Sequence, residues 1–252
     1  MLPRPRSGFY PGFAKTSARL ASKAVVLPMA TGIGIASDRA RQRMIDALRG
    51  IGVRDLGVLS AISIVPRHAF VDVALASRAY EDVALPIGHG QTISKPSTVA
   101  RMLEWVTAHL DEGQRREAKV LEIGTGCGYQ AAVLAHLFGQ VVSVERLKAL
   151  HELSRANLRS LRQSNLRLVF GDGRLGVEQA APFDAIVLAA AGESIPDDLL
   201  LQMKVGGRLI APIVAATGDG QSLHLVERAS QDDWHLTVLA AVRFVPLRPG
   251  TR

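Results

Sequence analysis

The run Lys119-Val-Leu-Glu-Ile-Gly-Thr-Gly-Cys-Gly-Tyr-Gln130, continued by Ala131-Ala-Val-Leu-Ala135, constrains this chain more than any other stretch. An apolar run ends in a turn with glycine at every second position, and an alanine-rich helix former follows. That order predicts strand, tight loop, helix. Gly124, Gly126 and Gly128 lack a Cβ, so the loop can take positive φ and lie close against a ligand. The first turn of the next helix would aim unpaired N–H groups and a positive dipole end at the same place. The spacing is G-x-G-x-G. The closing glycine of the dinucleotide pattern G-x-G-x-x-G is missing, because Tyr129 and Gln130 follow instead. Glycine turns also serve plain strand-to-helix packing, so the loop needs support from the rest of the chain.

Downstream, the alternation is regular. Strands are expected at Val120–Ile123, Val141–Val144, Leu166–Phe170, Ala185–Leu188, Arg208–Ile213, Ser222–Arg228 and Thr237–Val242. Helices are expected at Gln130–Phe138, Leu147–Leu161 and Asp197–Met203. Strands separated by helices demand parallel pairing with crossovers, and the closing strands, with little helix between them, suggest an antiparallel edge. The expected fold is α/β: an open, doubly wound, mostly parallel seven-stranded sheet with an antiparallel edge, preceded by an N-terminal helical region.

Ser37 and Asp38 are candidate N-caps for a helix over Arg39–Arg49, with Met44, Ile45 and Leu48 on one face. Asp55–Ile64 and Arg67–Ala76 read as further short helices around Pro66, and Thr98–Leu110 as a longer one. Between them Ala84–Ser97 mixes prolines and glycines with apolar and hydroxyl residues. It can be neither a regular helix nor a central strand, and a structured loop there is a reasonable place for a substrate. We therefore divide the chain into a disordered basic extension (1–36), a helical region with the substrate loop (37–110) and the α/β core (111–252).

The formal charge of +7 is unevenly placed. Residues 1–54 hold ten Lys/Arg and two Asp/Glu, or +8, which leaves +7 − 8 = −1 for the remainder. Basicity that avoids the core argues against a specific nucleic-acid enzyme. The apolar piece Ala24–Ala36 is broken by Pro28, Gly32 and Gly34, and it is shorter than the ~20 residues of a membrane span. One cysteine, Cys127, excludes an internal disulfide or a cysteine-based zinc site. A cytoplasmic monomer without metal or membrane partner is the expectation.

In open α/β sheets ligands sit beyond the carboxyl ends of the strands. Glu145 ends the second core strand, 145 − 124 = 21 residues after the first loop glycine, where a carboxylate can accept both hydroxyls of a ribose. It could instead cap a helix or pair with Arg146 or Lys148. Asp172-Gly173 ends the next strand and could read an adenine edge or simply turn the chain. Together with the glycine loop they favour an adenosine-containing ligand.

Glu122 leads the loop, and E-x-G-x-G-x-G resembles motif I of the class I S-adenosylmethionine-dependent methyltransferases. A narrower resemblance follows from Val65-Pro-Arg-His-Ala-Phe-Val71, Ala79-Tyr-Glu-Asp82, Ala84-Leu-Pro-Ile-Gly-His-Gly-Gln-Thr-Ile-Ser94, Val142-Ser-Val-Glu145, Gly171-Asp-Gly173, Pro182-Phe-Asp-Ala-Ile186 and Val242-Arg-Phe-Val-Pro-Leu247. In this order they resemble the protein-L-isoaspartate (D-aspartate) O-methyltransferase family. The block Pro86–Ser94 is more specific than the glycine loop, because general methyltransferases lack it. Lys95-Pro-Ser97 departs from the family's usual Gln-Pro-Tyr, and Arg174-Leu-Gly-Val177 and Ala189–Glu193 depart from it at the site's rim.

The resemblance implies methyl transfer from S-adenosyl-L-methionine to the free α-carboxylate of L-isoaspartyl, and possibly D-aspartyl, residues in damaged proteins. The ester then closes to a succinimide, which begins repair. It implies Ser94 as the residue positioning the carboxylate. Thr92, Ile93, Glu122, Gly124, Thr125, Gly126, Gly128, Glu145, Asp172 and Gly173 would hold the cofactor, and His89, Val242 and Arg243 the substrate. Such a nucleophile is ionised at neutral pH, at a reference pKa of about 3.3–4.3, so no strong base is needed. The competing readings are the same fold retargeted to another carboxylate or to RNA, and a cofactor-binding protein with degraded catalysis.

Overall fold

A computed structural model describes residues 31–252, with side chains from residue 37. The expected extension over 1–36 therefore lies almost wholly outside the described residues. Helix α1 (Thr31–Gly50) is followed by α2 (Leu56–Ile64) and by two 3-10 turns, Arg67–Phe70 and Val73–Arg78. A two-stranded ribbon, β1 (Leu85–Gly88) and β2 (Gln91–Ile93), leads to α3 (Pro96–Thr107) and α4 (Glu112–Glu117). The α/β body then runs β3 (Lys119–Ile123), α5 (Tyr129–Leu137), β4 (Gln140–Glu145), α6 (Lys148–Leu158), β5 (Leu166–Phe170) and β6 (Phe183–Leu188). It closes with α7 (Asp197–Leu201), β7 (Met203–Val214), β8 (Gln221–Arg228) and β9 (Trp234–Val242).

The seven strands lie in the order β5-β4-β3-β6-β7-β8-β9. The first five pair in parallel, and β8 and β9 add antiparallel at one edge. Both faces of the sheet are apolar, because successive side chains point to opposite sides. Val120, Val141, Ala185, Val187 and Ile210 pack with buried residues of α1, α2, α3 and α5. Leu121, Ile123, Val142, Val144, Ile186 and Leu188 pack on the other side with Val177 and Leu199. Met44, Ile45 and Leu48 of α1 belong to the first cluster, as their spacing predicts.

Several local expectations are corrected. Helix α1 begins upstream of Ser37 and Asp38, which lie within it. The Ser37 hydroxyl is taken up by tertiary contacts, to His68 Nδ1 at 3.1 Å and Tyr80 at 3.4 Å. The single helix expected over Arg67–Ala76 is two 3-10 turns, the second capped by Asp72 accepting from Ala74 N. Ala84–Ser97 contains a ribbon in which Leu85 pairs with Ile93 and Pro86 with Thr92. Proline is tolerated there because each strand of an isolated ribbon has an unpaired side. Helix α7 stops at Leu201, since Met203 already pairs with Phe183 as the start of β7.

Candidate active site

The chain lays down β3, β4 and β5 outward to one edge, then returns to place β6 on the far side of β3. Strand order reverses between β3 and β6, and the carboxyl ends there open on a cleft, as the topology requires. Counted with its open mouth, the cleft encloses ≈ 900 Å³ of empty space. Gly124, Thr125 and Gly126 form its floor, Glu145 to Leu147 one wall, and Ala189 and Ala190 the other. Thr92, Ile93 and Ser94 reach it from the ribbon.

The loop is fixed by its own backbone. Gly124 N and Thr125 N donate to Val144 O at 2.8 and 3.2 Å, and Gly128 N donates to Thr125 O at 2.9 Å. Gly124, at φ 95°, lines the cleft, and a Cβ there would stand 3.4 Å from the Ala189 Cβ. Gly128 serves a different purpose. A Cβ on it would meet Leu158 Cδ1 at 2.9 Å, so this glycine lets α6 pack against the loop and does not line the cleft.

Glu145 faces the cleft at 5% exposure. Its Oε2 accepts from Gly126 N and its Oε1 from Leu147 N, both at 2.9 Å. Each oxygen keeps a second lone pair, so the orientation is fixed while acceptor capacity for a diol remains. Glu122 lies elsewhere. It is fully buried beneath the loop, where Ser143 Oγ donates to its Oε2, and Ser143 in turn meets Thr125 Oγ1 at 2.6 Å. Burial pushes the Glu122 carboxyl up to about 8, against the opposing hydrogen bond from Ser143. Glu122 thus supports the loop from below and has no surface on the cleft.

Asp172, in contrast to Glu145, does not line the cleft. Its Oδ1 accepts from Arg174 N at 2.9 Å, and its Oδ2 from Gly250 N at 2.6 Å. Gly173, next to it, does line the cleft. The thiol of Cys127 is buried in the loop, and burial pushes it up to about 11, so it stays protonated.

Ser94 stands between two spaces. It lines the cleft, and with Thr92 and Val245 it also lines an adjoining groove bounded by Val242, Arg243, Trp105 and Arg101. Its backbone is held by Arg67, a fully buried arginine that donates through Nη2 to Ser94 O and through Nε to Ala79 O, each at 2.7 Å. The guanidinium also lies 4.8 Å from the centroid of the Tyr129 ring, at the start of α5. One buried cation therefore joins the ribbon to the glycine loop. His89 sits at the exposed turn of the ribbon at φ 53°, beside Leu147 and Arg252, outside the groove that Val242 and Arg243 line. His68 is hydrogen-bonded to Tyr80 at 2.7 Å, and burial followed by the Arg41 charge lowers its pKa, which keeps it neutral at pH 7.

The sequence reading missed Arg67 and the segment Val245–Arg248, which forms part of the cleft wall. Pro246 and Leu247 belong to the motif Val242–Leu247, which the resemblance ties to the substrate through Val242 and Arg243 alone. The segment is laced to the body by Ala191 N to Val245 O at 2.8 Å and Leu247 N to Ala191 O at 2.7 Å.

A reversed strand order, a glycine loop under an acid-bearing second strand and an antiparallel edge define a Rossmann-like methyltransferase. Comparison with known proteins narrows the class. Residues 39–251 match the family Protein-L-isoaspartate(D-aspartate) O-methyltransferase (PCMT). A protein-L-isoaspartate O-methyltransferase of Ralstonia nicotianae is 54% identical over 228 residues, 86% of this chain and 71% of that protein. One from Burkholderia ambifaria is 55% identical over 221 residues, 88% of this chain and 70% of that protein. Among solved structures, a protein-L-isoaspartate O-methyltransferase superposes with TM-score 0.72 at 31% identity, covering 82% of this chain and 65% of that one. A Plasmodium falciparum chain assigned to the same activity, in complex with S-adenosyl-L-homocysteine, gives TM-score 0.72 at 24% identity over 82% of this chain and 98% of that one, and supports the fold. The chain belongs to the protein-L-isoaspartate(D-aspartate) O-methyltransferase family.

Proposed function

We infer that the two spaces meeting at Ser94 hold the methyl donor and the methyl acceptor of an isoaspartyl carboxyl methyltransferase. The observation that carries this is the shared wall. Thr92, Ser94 and Val245 border both the glycine-loop cleft and the groove beside β9, so ligands in the two would meet at Ser94. S-adenosyl-L-methionine, when bound, supplies a sulfonium-activated methyl group. The residues present fit it. Glu145 offers fixed acceptors for a ribose diol, and Gly124 and Gly126 leave room for a ligand against the loop backbone.

The chain's own work is alignment. Ser94 donates its hydroxyl to the carboxylate oxygen that does not attack, and Arg67 fixes the backbone from which that hydroxyl projects. Ile87, Ile93 and Val99 line the donor cleft with apolar surface and limit water near the reacting atoms. No general base is assigned, because an α-carboxylate is already an anion at neutral pH. The substrates are isoaspartyl residues of damaged polypeptides. The reading also takes the protein as a cytoplasmic monomer acting without a nucleic-acid or membrane partner. It rests there on the confinement of excess basic charge to residues 1–54 and on a single, buried thiol. No helix among the described residues is long and apolar enough to cross a membrane.

Transfer of labelled methyl from S-adenosyl-L-methionine to an isoaspartyl peptide, and not to its aspartyl isomer, tests the assignment. A base-labile ester is expected, and its absence on every isoaspartyl peptide tried would defeat it. Ser94→Ala should lower kcat by roughly 10- to 100-fold while donor affinity changes less than about 3-fold, since the lost hydrogen bond belongs to the acceptor. Unchanged turnover would remove Ser94 from this role.

A further inference from the structure

The groove beside the donor cleft has a charge pattern that the transfer reaction does not explain. Lys95, Arg101 and Arg243 line it, and among the described residues Asp82 is the only acidic one that does so. Asp82 is already committed. Its Oδ1 accepts from Ser97 N and its Oδ2 from Ser97 Oγ, both at 2.8 Å, which sets its charge against the N-terminal turn of α3. Lys95 approaches the same carboxylate only at 4.0 Å, with half its side chain exposed. Arg101 rests one nitrogen on Ile51 O at 3.0 Å, a neutral acceptor that leaves its charge uncancelled. Arg243 is exposed on the segment leaving β9.

The remaining walls are neutral, with Trp105, Leu223, Val242 and Phe244 prominent among them. A polypeptide lying in this groove with its isoaspartyl carboxylate at Ser94 would therefore run its neighbouring residues past three cations and one anion, which is turned onto Ser97. The sequence places one of these cations directly after Ser94 and another directly after Val242.

We propose that Lys95, Arg101 and Arg243 are specificity-determining residues that favour isoaspartyl sites flanked by acidic side chains. The proposal rests on the groove being the acceptor site, as assigned above. Ion pairs at a half-exposed rim are individually weak and screened over about 8 Å at physiological ionic strength. Their combined effect is a ranking of substrates, expressed in KM and in association rate, and it leaves the chemical step alone.

The test uses three isoaspartyl peptides of one length that carry glutamate, glutamine or lysine at the two positions on each side of the modified residue. The glutamate peptide should show kcat/KM about 3- to 10-fold above the glutamine peptide, with the lysine peptide lowest. The spread should come from KM and shrink in high salt. In Lys95→Glu/Arg243→Glu the order should reverse, and Arg243→Glu alone should narrow the spread if the double variant folds poorly. A flat ranking in the unmodified enzyme, with all three peptides methylated, overturns the proposal and leaves the transfer reaction standing. So does a ranking that survives both variants. Single-stranded RNA that competes with the neutral peptide would assign the groove to nucleic acid and also overturn it. No ester on any of the three peptides would defeat the transfer reaction itself, and the proposal with it.

Discussion

Glu122 keeps its carboxyl beneath the glycine loop, in contact with Ser143 and near Gln130, and with no access to solvent. In the sequence it reads as the first letter of a cofactor motif. In the fold it is a strut, and Ser143 passes its support to Thr125. Burial raises its pKa from 4.5 to about 8, so the folded protein holds a proton there that the unfolded chain releases above 4.5. Stability from this group is therefore complete below about 4.5 and declines as pH rises toward about 8. The partly buried His68, His109 and His224 act in the opposite sense, because burial lowers their pKa values and favours the folded state as pH rises. A comparison of Glu122→Gln with the parent isolates the carboxyl, since the amide keeps the shape and cannot titrate. The difference in Tm between the two should shift in favour of the variant as pH is raised from about 5 to about 8. A pH-independent difference would show that Glu122 is ionised in the fold.

At the scale of elements, the donor cleft depends on a segment that has no regular structure. After β9 the chain crosses the cleft with Val245–Arg248, and beyond it Gly250 N donates to Asp172 Oδ2 at 2.6 Å. Arg252 N donates to Arg146 O at 2.9 Å, and Lys148 N to Arg252 O at 2.8 Å, which ties the strap beside Glu145. Asp172 therefore anchors the strap, and the expected effect of its loss on the donor is indirect. Asp172→Ala should weaken donor binding by roughly 3- to 10-fold, the cost of one charge-assisted hydrogen bond. Donor Kd from isothermal titration checks this, and an unchanged Kd would uncouple strap from cofactor. The strap was hard to read because it has neither period 2 nor period 3.6, whereas the strands of the sheet declared themselves by apolar runs. Helix α4 is legible in the sequence, since Asp111 and Gln114 form a complete capping box. The placement of Glu145, Gly124 and Ser94 followed from motif and strand order. The commitment of Asp172 to Gly250 joins residues 78 apart, which spacing cannot reveal.

For the whole molecule, the question is what holds residues 37–110, which supply Ser94, against the body that supplies the donor cleft. Part of the answer is apolar, since one continuous cluster takes in α1, α2 and α3 together with β3, α5 and β6. Part is polar: Arg208 Nη1 donates to Trp105 O at 3.0 Å, and a stronger tie lies at Arg115. Arg115 donates to both oxygens of Asp55, Nη1 to Oδ1 at 2.9 Å and Nη2 to Oδ2 at 2.6 Å, and reaches Leu110 O and Thr107 O as well. Asp55 also caps α2 by accepting from Val58 N at 2.9 Å. Burial alone would raise the Asp55 carboxyl, but the Arg115 hydrogen bonds and charge, with the capped backbone, hold it below 3.8. Its contribution to stability is thus complete above 3.8 and is lost as pH falls through the lower folded value. Arg115→Met would strand a carboxylate that is 15% exposed, at a cost of about 2–4 kcal/mol. For a domain of this size that predicts a Tm lower by roughly 5–15 °C at neutral pH. Because the apolar cluster spans both regions, unfolding should remain one cooperative transition, followed by calorimetry together with methyl transfer. A variant that instead loses activity well below its main transition would show that the helical region detaches from the α/β body before the sheet unfolds.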